Sequence, residues 1–106
     1  MNKLFVVLLV AQGILAATAH AADAKAAQSL VQKSGCLACH GVEKKIVGPG
    51  YKEVAEKYKN DKAAEAKLIA KIKTGGGGTW GQMPMPPNAH VKEEDIKTIV
   101  SWILSL

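Results

Sequence analysis

The sequence predicts an all-α domain of about four short helices. Four segments carry apolar residues at the three- and four-residue spacing of an amphipathic helix, and no segment alternates apolar and polar residues as a half-buried strand would. Clusters of glycine and proline follow the first and third of these segments, and such clusters end helices and form loops. A chain of 106 residues is expected to form a single domain.

The first 21 residues have the features of a secretory signal peptide. A short basic start, Asn2-Lys3, precedes an unbroken apolar run over residues 4–10, and Ala19-His20-Ala21 offers a cleavage site of small residues. The apolar run is shorter than the ~20 residues that a membrane-spanning helix needs. We therefore expect cleavage after Ala21 or Ala22, a mature domain over residues 22–106 without a membrane anchor, and a periplasmic location.

The first predicted helix of the mature chain covers residues 24–34. Asp23 stands where a side-chain cap is favoured, and Gly35 follows the last turn as a natural stop. The apolar residues of this segment share one side, which predicts that they face the core. The helix would lead the chain directly into a pair of cysteines.

The second and third predicted helices follow the cysteines. Tyr51–Tyr58 places its apolar residues at positions i, i+3, i+4 and i+7, which is the spacing of one helix face. The third helix is expected to begin at a cap, Asn60 or Asp61, and to run to about Lys73. The glycine run over residues 75–78 would end it.

The fourth predicted helix is Glu93–Leu104, with three acidic residues in its first turn, where they suit the helix dipole. Lys92, at the position before it, is a poor helix cap. Between the third and fourth helices lies a loop over residues 75–88. Within it, Met83-Pro84-Met85-Pro86-Pro87 is stiffened by prolines, which fix φ, and we call residues 75–88 the strap.

The charge of the chain is mildly basic. All 14 basic residues are lysines, and the expected mature chain has thirteen of them against nine acidic residues, a net charge of +4. No arginine cluster or basic patch with interleaved aromatic residues is present, so a nucleic-acid partner is not expected. A domain of this size buries little surface and often needs an additional stabilising group.

The motif Cys36-Leu37-Ala38-Cys39-His40 has the spacing of a c-type haem attachment site. Each thiol can add to one vinyl group of the porphyrin, and the adjacent imidazole can bind the iron. A zinc site needs four ligands, and outside this motif the chain offers only His20 and His90. A thioredoxin-like pair should follow a strand, and a disulfide within the motif would close a very small loop. We predict covalently attached haem c with this histidine as one iron ligand.

The strap offers a second iron ligand. A thioether in the sixth position closes the site to small molecules, and Met/His ligation raises the reduction potential. Either Met83 or Met85 can serve by geometry alone. Met85 is preferred because Pro84 and Pro86 restrict the backbone on both sides of it. Met83 would then be an apolar side chain that packs beside the edge of the haem.

Five stretches together resemble the small bacterial class I cytochromes c of the c-551/c-552 type. They are Cys36-Leu37-Ala38-Cys39-His40, Val47-Gly48-Pro49, Lys71-Ile72-Lys73, Trp80-Gly81-Gln82-Met83-Pro84-Met85-Pro86-Pro87-Asn88 and Trp102-Ile103-Leu104-Ser105. The resemblance implies the class I cytochrome c fold, with short helices wrapped around one covalently bound haem. It also implies iron ligation by His40 and Met85.

The same resemblance implies roles for four further residues. The carbonyl of Pro49 would accept a hydrogen bond from His40 and so set the orientation of its ring. The indole N–H of Trp80 would reach a haem propionate, and Lys71 would neutralise one. Asn88 would donate towards the sulfur of the ligating methionine.

These residues predict a periplasmic one-electron carrier rather than an enzyme. The iron would cycle between Fe(III) and Fe(II) with both ligands retained, and the protein, expected to be a monomer, would dock transiently with redox partner proteins. The resemblance implies nitrite reductase, a terminal oxidase or cytochrome c peroxidase as acceptors. The alternatives are a haem sensor or peroxidase-like enzyme with a labile sixth ligand, and a subunit of a larger complex.

Overall fold

The computed structural model describes residues 14–106, with side chains described from residue 23 onward. Within this range it has four α-helices, α1 (Ile14–Lys33), α2 (Tyr51–Tyr58), α3 (Ala64–Thr74) and α4 (Glu93–Leu104), and a one-turn 3₁₀ helix at Cys36–Ala38. No β-strand occurs in this range, which confirms the predicted all-α class. None of the described helices is long and apolar enough to cross a bilayer. Residues 1–13 of the predicted signal peptide lie outside the described part.

Helix α1 begins at Ile14, well before the predicted start at residue 24. Residues 16–27 contain eight alanines and neither glycine nor proline, and alanine has the highest helix propensity, so nothing ends the helix at the predicted boundary. Asp23 therefore lies inside α1 in the full-length chain, and its role as a cap after cleavage stays a prediction. The other end is close to the prediction, because α1 ends at Lys33, two residues before Gly35.

Helices α2 and α4 have the predicted bounds. At the start of α2, the backbone N–H of Gly50 donates to Oε1 of Glu53 at 3.3 Å, so an otherwise unpaired donor is satisfied. At the start of α4, Lys92 makes no side-chain capping hydrogen bond, as expected from its poor capping ability. Three acidic residues in the first turn of α4 compensate for this through the helix dipole.

Helix α3 starts at Ala64, a few residues after the predicted cap. Oδ1 of Asp61 accepts a hydrogen bond from the N–H of Ala63 at 2.8 Å, and the carbonyl of Asp61 accepts one from the N–H of Ala64 at 3.1 Å. Asp61 thus caps the turn that leads into α3 rather than α3 itself. The last turn ends with the N–H of Gly75 donating to the carbonyl of Lys71 at 2.8 Å.

The core forms around α4, which packs against α1, α2 and α3. The buried cluster takes two residues from α1, two from α2 and three from α4: Ala27, Val31, Tyr51, Val54, Ile99, Trp102 and Ile103. These are the apolar faces that the helical spacing predicts. Because the three other helices approach α4 from different sides, the 3₁₀ helix, α2, α3 and the strap are left around one opening in the domain.

Candidate haem-binding site

A cavity of about 500 Å³ lies between the 3₁₀ helix, α2, α3 and the strap. Its volume is within the range of cofactor pockets. Seven of the eight site residues that the sequence predicts line this cavity: Cys36, Cys39, His40, Pro49, Lys71, Trp80 and Met85. The rest of the lining is largely apolar, with side chains such as Val54, Leu68 and Ile99. The fold therefore brings residues from both halves of the chain to one apolar space.

Cys36 and Cys39 are free thiols, and both are partly buried in the cavity wall. The tight turn of the 3₁₀ helix keeps them close, because the N–H groups of Cys39 and His40 both donate to the carbonyl of Cys36, at 3.2 Å and 3.0 Å. Burial raises the pKa of the Cys36 thiol, and a hydrogen bond with Tyr51 opposes this only in part. In the described part of the chain, no group of three or more His, Cys, Asp or Glu side chains forms a metal cluster.

The imidazole of His40 is held by a backbone carbonyl. Nδ1 of His40 lies 2.7 Å from the carbonyl oxygen of Pro49, and since that oxygen can only accept, Nδ1 carries the proton. Nε2 therefore keeps its lone pair for a metal. Gly48 makes room for the ring, because a Cβ at this position would stand 2.6 Å from Cε1 of His40. The arrangement fits an axial ligand of iron.

Tyr51 is a residue of this site that the sequence assigned only to the core. It is 4% exposed, and its ring stacks on that of His40. Its position at the start of the apolar stripe of α2 explains its burial. The helical spacing alone carries no information about its contact with an imidazole on the preceding loop.

The backbone fixes Met85 to the end of α3. The N–H of Gly76 donates to the carbonyl of Met85 at 2.9 Å, and the N–H of Met85 donates to the carbonyl of Gly76 at 3.0 Å. Gly75 allows this approach, since a Cβ there would collide with the carbonyl oxygen of Met85. Met85 is partly buried, whereas Met83 also lines the cavity but is 71% exposed. The geometry thus adds a backbone constraint to the two prolines that favoured Met85.

Trp80 and Lys71 line the cavity on its strap side. Trp80 is 41% exposed, and Nζ of Lys57 lies 5.6 Å from the centroid of one of its rings. Lys71 is partly buried and forms no salt bridge with any residue in the described part. A partly buried lysine side chain without an acidic partner fits a place beside an anionic group such as a propionate.

Asn88 is the predicted site residue that does not line the cavity. Its side-chain amide donates to the carbonyls of Ile72 at 3.3 Å and Pro86 at 3.2 Å. Its backbone N–H also donates to Ile72, at 2.9 Å. In this structure Asn88 ties the end of the strap to α3, and its donation towards the sulfur of Met85 stays a prediction.

The donor set of the cavity fits a covalently bound haem. Two adjacent thiols can form the thioether links, the free Nε2 of His40 can bind iron, and a soft thioether comes from the strap. The largely apolar wall suits a flat porphyrin. Gly48, Gly75 and Gly76 also shape this site. The sequence marked them only as parts of a resembling stretch or of a helix-ending run.

Comparisons with known proteins show the family of the chain. Residues 24–106 match the family model described as Cytochrome c. A cytochrome c-551 of Allochromatium vinosum is 62% identical over 77 residues, which cover 73% of this chain and 82% of that protein. A cytochrome c-551 of Stutzerimonas stutzeri is 42% identical over 106 residues, covering 100% of this chain and 99% of that protein.

Solved structures give the same result. The crystal structure of wild-type Nitrosomonas europaea cytochrome c552 superposes with a TM-score of 0.72 at 48% identity, covering 74% of this chain and 98% of that one. The class 1 cytochrome MtoD of Sideroxydans lithotrophicus superposes with a TM-score of 0.69 at 41% identity, covering 78% and 95%. The chain thus belongs to the cytochrome c family, as a small class I haem electron carrier similar to the c-551 and c-552 cytochromes.

Proposed function

We propose that this cytochrome is a periplasmic one-electron carrier in which His40 and Met85 are the axial ligands of the haem iron. The observation that carries the proposal is that both side chains line one cavity, with the ring of His40 held by the carbonyl of Pro49 and the backbone of Met85 held by two hydrogen bonds to Gly76. Cys36 and Cys39, on the same wall as His40, supply the covalent attachment. Ligands that are fixed before the metal binds need little rearrangement when its charge changes.

A bound haem supplies one-electron chemistry, with its iron alternating between Fe(III) and Fe(II). The neutral, soft sulfur of Met85 favours the reduced state relative to a second imidazole. The carbonyl of Pro49, which accepts from Nδ1 of His40, makes the imidazole a stronger donor and limits this effect. The ammonium group of Lys71 would balance the charge of a propionate, and the indole N–H of Trp80 would donate to one.

The restraint on Met85 favours a carrier over a haem sensor or a peroxidase-like enzyme. Those activities need a sixth position that opens to a small molecule. The two hydrogen bonds to Gly76 hold the backbone of Met85 beside the cavity, so a side chain that leaves the iron stays close enough to bind it again. We therefore propose that Met85 stays bound during the redox cycle.

The proposed location rests on the N-terminal sequence. Residues 1–21 have the order of a signal peptide, and cleavage after Ala21 or Ala22 leaves the mature domain over residues 22–106. N-terminal sequencing of the protein from a periplasmic fraction tests this. A chain that still begins at Met1 in the holoprotein would contradict both the cleavage and the location.

The proposed partners are redox proteins that dock transiently with the monomer, with nitrite reductase, a terminal oxidase or cytochrome c peroxidase as candidate acceptors. Lys44 and Lys45, exposed on the loop between the cysteines and Gly48, can steer it towards acidic surfaces. Lys73 contributes less, because it pairs with Glu93 at 2.7 Å. If steering operates, electron-transfer rates fall as ionic strength rises.

The ligand assignment is tested with Met85→Ala and its matched control Met83→Ala, both as holoproteins. We expect Met85→Ala to lose the sulfur-to-iron absorption band, to bind carbon monoxide when reduced and to have a lower reduction potential. Met83→Ala should keep the band and exclude carbon monoxide. A retained Met/His spectrum in Met85→Ala would overturn the assignment, and ready carbon monoxide binding by the unmodified protein would favour the sensor or enzyme.

A further inference from the structure

Met83 is a second thioether at the cavity, and the proposed ligation does not use it. At 71% exposure it is the most exposed of the large apolar side chains in the described part of the chain. Met85, two residues further on, is only partly buried, yet it is clearly less exposed than Met83. Both side chains line the cavity, and Met83 presents the larger share of its surface to solvent.

The rest of the chain offers few competing sulfur atoms. It has two cysteines and three methionines, of which Met1 lies in the predicted signal peptide. Once both cysteines carry the haem, their thiols no longer exist. Met83 and Met85 are then the two methionines in residues 22–106. The thioether of Met83 is free, and that of Met85 is the proposed iron ligand. The sensitivity of the site to two-electron oxidants depends on which of them reacts first.

We propose that Met83 is a site of reversible oxidation, which peroxides reach before Met85, and that its reaction spares the iron ligand. A lone pair of Sδ attacks one peroxide oxygen, and the S–O bond forms as the O–O bond breaks. The proton of the attacked oxygen passes to the second oxygen, which with hydrogen peroxide leaves as water. With hydrogen peroxide the products are the sulfoxide and water, so sulfur is oxidised by two electrons and the peroxide is reduced by two. The proposal rests on the function proposed above, because it takes Met85 as the bound ligand.

The solvent exposure of the two methionines and the proposed bond between Met85 and iron both determine which methionine is oxidised first. Susceptibility of methionine to oxidation follows its accessibility, and Met83 is the more accessible thioether. The lone pair that Met85 needs for the reaction is engaged by the metal in the proposed site, whereas that of Met83 is free. The polar sulfoxide at Met83 stays in contact with water, so the fold tolerates it. The same change at Met85 would remove the soft ligand.

The product at Met83 is also the one that can be repaired. Methionine sulfoxide reductases restore the thioether, and they must enclose the side chain to do so. An exposed residue meets this requirement better than a partly buried one whose backbone is paired with Gly76 by two hydrogen bonds. Met83 can therefore pass through many cycles of oxidation and reduction, while Met85 keeps its place.

The test treats the ferric holoprotein with limiting hydrogen peroxide, raised from less than one equivalent to a few equivalents per haem so that oxidant consumed at Met83 is withheld from Met85, and locates the added oxygen atoms by tandem mass spectrometry. A synthetic peptide of residues 81–88 gives the intrinsic reactivity of the two methionines, and Met83→Leu is the matched variant. We expect loss of unmodified Met83 before any loss of Met85 or of the sulfur-to-iron absorption band. In Met83→Leu, we expect Met85 and the band to be lost at lower peroxide than in the unmodified protein.

Two results would overturn the proposal: oxidation of Met85 before or together with Met83, as in the free peptide, or equal peroxide sensitivity of the band in Met83→Leu and the unmodified protein. The untreated sample separates this failure from failure of the proposed function. If the band is present before treatment and the order is wrong, only the oxidation proposal fails. If the band is absent before treatment, the ligation by Met85 fails, and with it the protective role of Met83.

Discussion

His40 stacks on Tyr51, with ring centroids 5.1 Å apart and an angle of 17° between the ring planes. Tyr51 in turn meets Trp102 edge to face at 5.7 Å. The carbonyl of Pro49 binds one nitrogen of the imidazole, and the ring of Tyr51 covers one face of it. Because Trp102 belongs to α4, the orientation of His40 is coupled to the buried core and not only to its own loop.

The stack predicts a difference between two substitutions of Tyr51. Tyr51→Phe keeps the ring on His40, whereas Tyr51→Leu removes the aromatic contacts and keeps an apolar side chain. We expect Tyr51→Leu to have a lower free energy of unfolding than Tyr51→Phe by about 0.5–1.5 kcal/mol, the value of an aromatic pair beyond its buried area. Denaturant unfolding of the two holoproteins measures this. Equal stabilities would mean that the stack adds nothing to burial.

The close approach of Gly75 to Met85 predicts a specific effect of a single methyl group. In Gly75→Ala the new Cβ would collide with the carbonyl oxygen of Met85 and stand 2.8 Å from the nitrogen of Pro87. Gly78→Ala is the control, because φ is positive at both glycines, +67° and +101°, but a Cβ at Gly78 meets nothing within 4 Å.

Both substitutions of these glycines carry backbone strain of about 1–3 kcal/mol. We expect only Gly75→Ala to weaken the sulfur-to-iron band and lower the reduction potential, because only it displaces Met85. The two absorption spectra, recorded at equal haem content, check this. A normal band in Gly75→Ala would show that the strap absorbs the methyl group without moving its ligand.

The contact between Lys57 and Trp80 predicts a role for a lysine outside the cavity. Nζ of Lys57 lies 5.6 Å from a Trp80 ring centroid, so α2 holds the strap through a cation–π contact. We expect Lys57→Gln to lower the free energy of unfolding by about 0.5–1 kcal/mol and to speed hydrogen exchange in the strap. Lys57→Arg keeps the cation and should restore both. Identical behaviour of the two variants would exclude the contact.

The ion pair of Asp61 predicts a pH dependence of stability. A hydrogen bond from Lys67, followed by one from the N–H of Ala63, lowers the pKa of Asp61 from its ordinary value of 3.8. The unfolded chain therefore binds the proton more readily than the folded chain. The contribution of Asp61 to stability is complete above the ordinary pKa and is lost as the pH falls through the lowered one.

Asp61→Asn keeps an oxygen that can accept from Ala63 but cannot titrate. We expect the unmodified protein to be the more stable of the two at neutral pH, with a difference that shrinks as the pH falls below about 4. Urea unfolding over this range checks the sign. A difference that stays constant with pH would show that the charge of Asp61 does not contribute.

The sequence predicted the bounds of a helix best where particular residues mark its start. α2 follows Gly50, and α4 begins with three acidic residues. The predicted bounds of both helices were confirmed. In the full-length chain α1 starts earlier than predicted for the mature chain, because an alanine-rich stretch does not end a helix. The start of α3 was wrong because Asp61 can cap a turn as well as a helix. Local sequence does not distinguish these two uses of the same side chain.

The site was predicted as a set of residues but not as an arrangement. The spacing of the cysteine motif and the prolines around Met85 reflect local chemistry, which a sequence displays directly. The pairing of Gly76 with Met85 and the stacking of His40 on Tyr51 depend on how α3, α2 and α4 pack. Such contacts arise from the tertiary fold. Glycines that the sequence marks only as the end of a helix therefore also help to place a ligand.

The Gly76–Met85 pair is made by backbone atoms alone. The side chains of Thr79 and Gln82 take no part in this pair, so these two positions can change in size and charge while the backbone of Met85 stays where it is. Residues 77–84 include Trp80 and Met83, both exposed at the cavity mouth, where another protein would meet the domain. A cytochrome built this way can acquire new partners by altering one short loop, without retuning the metal it carries.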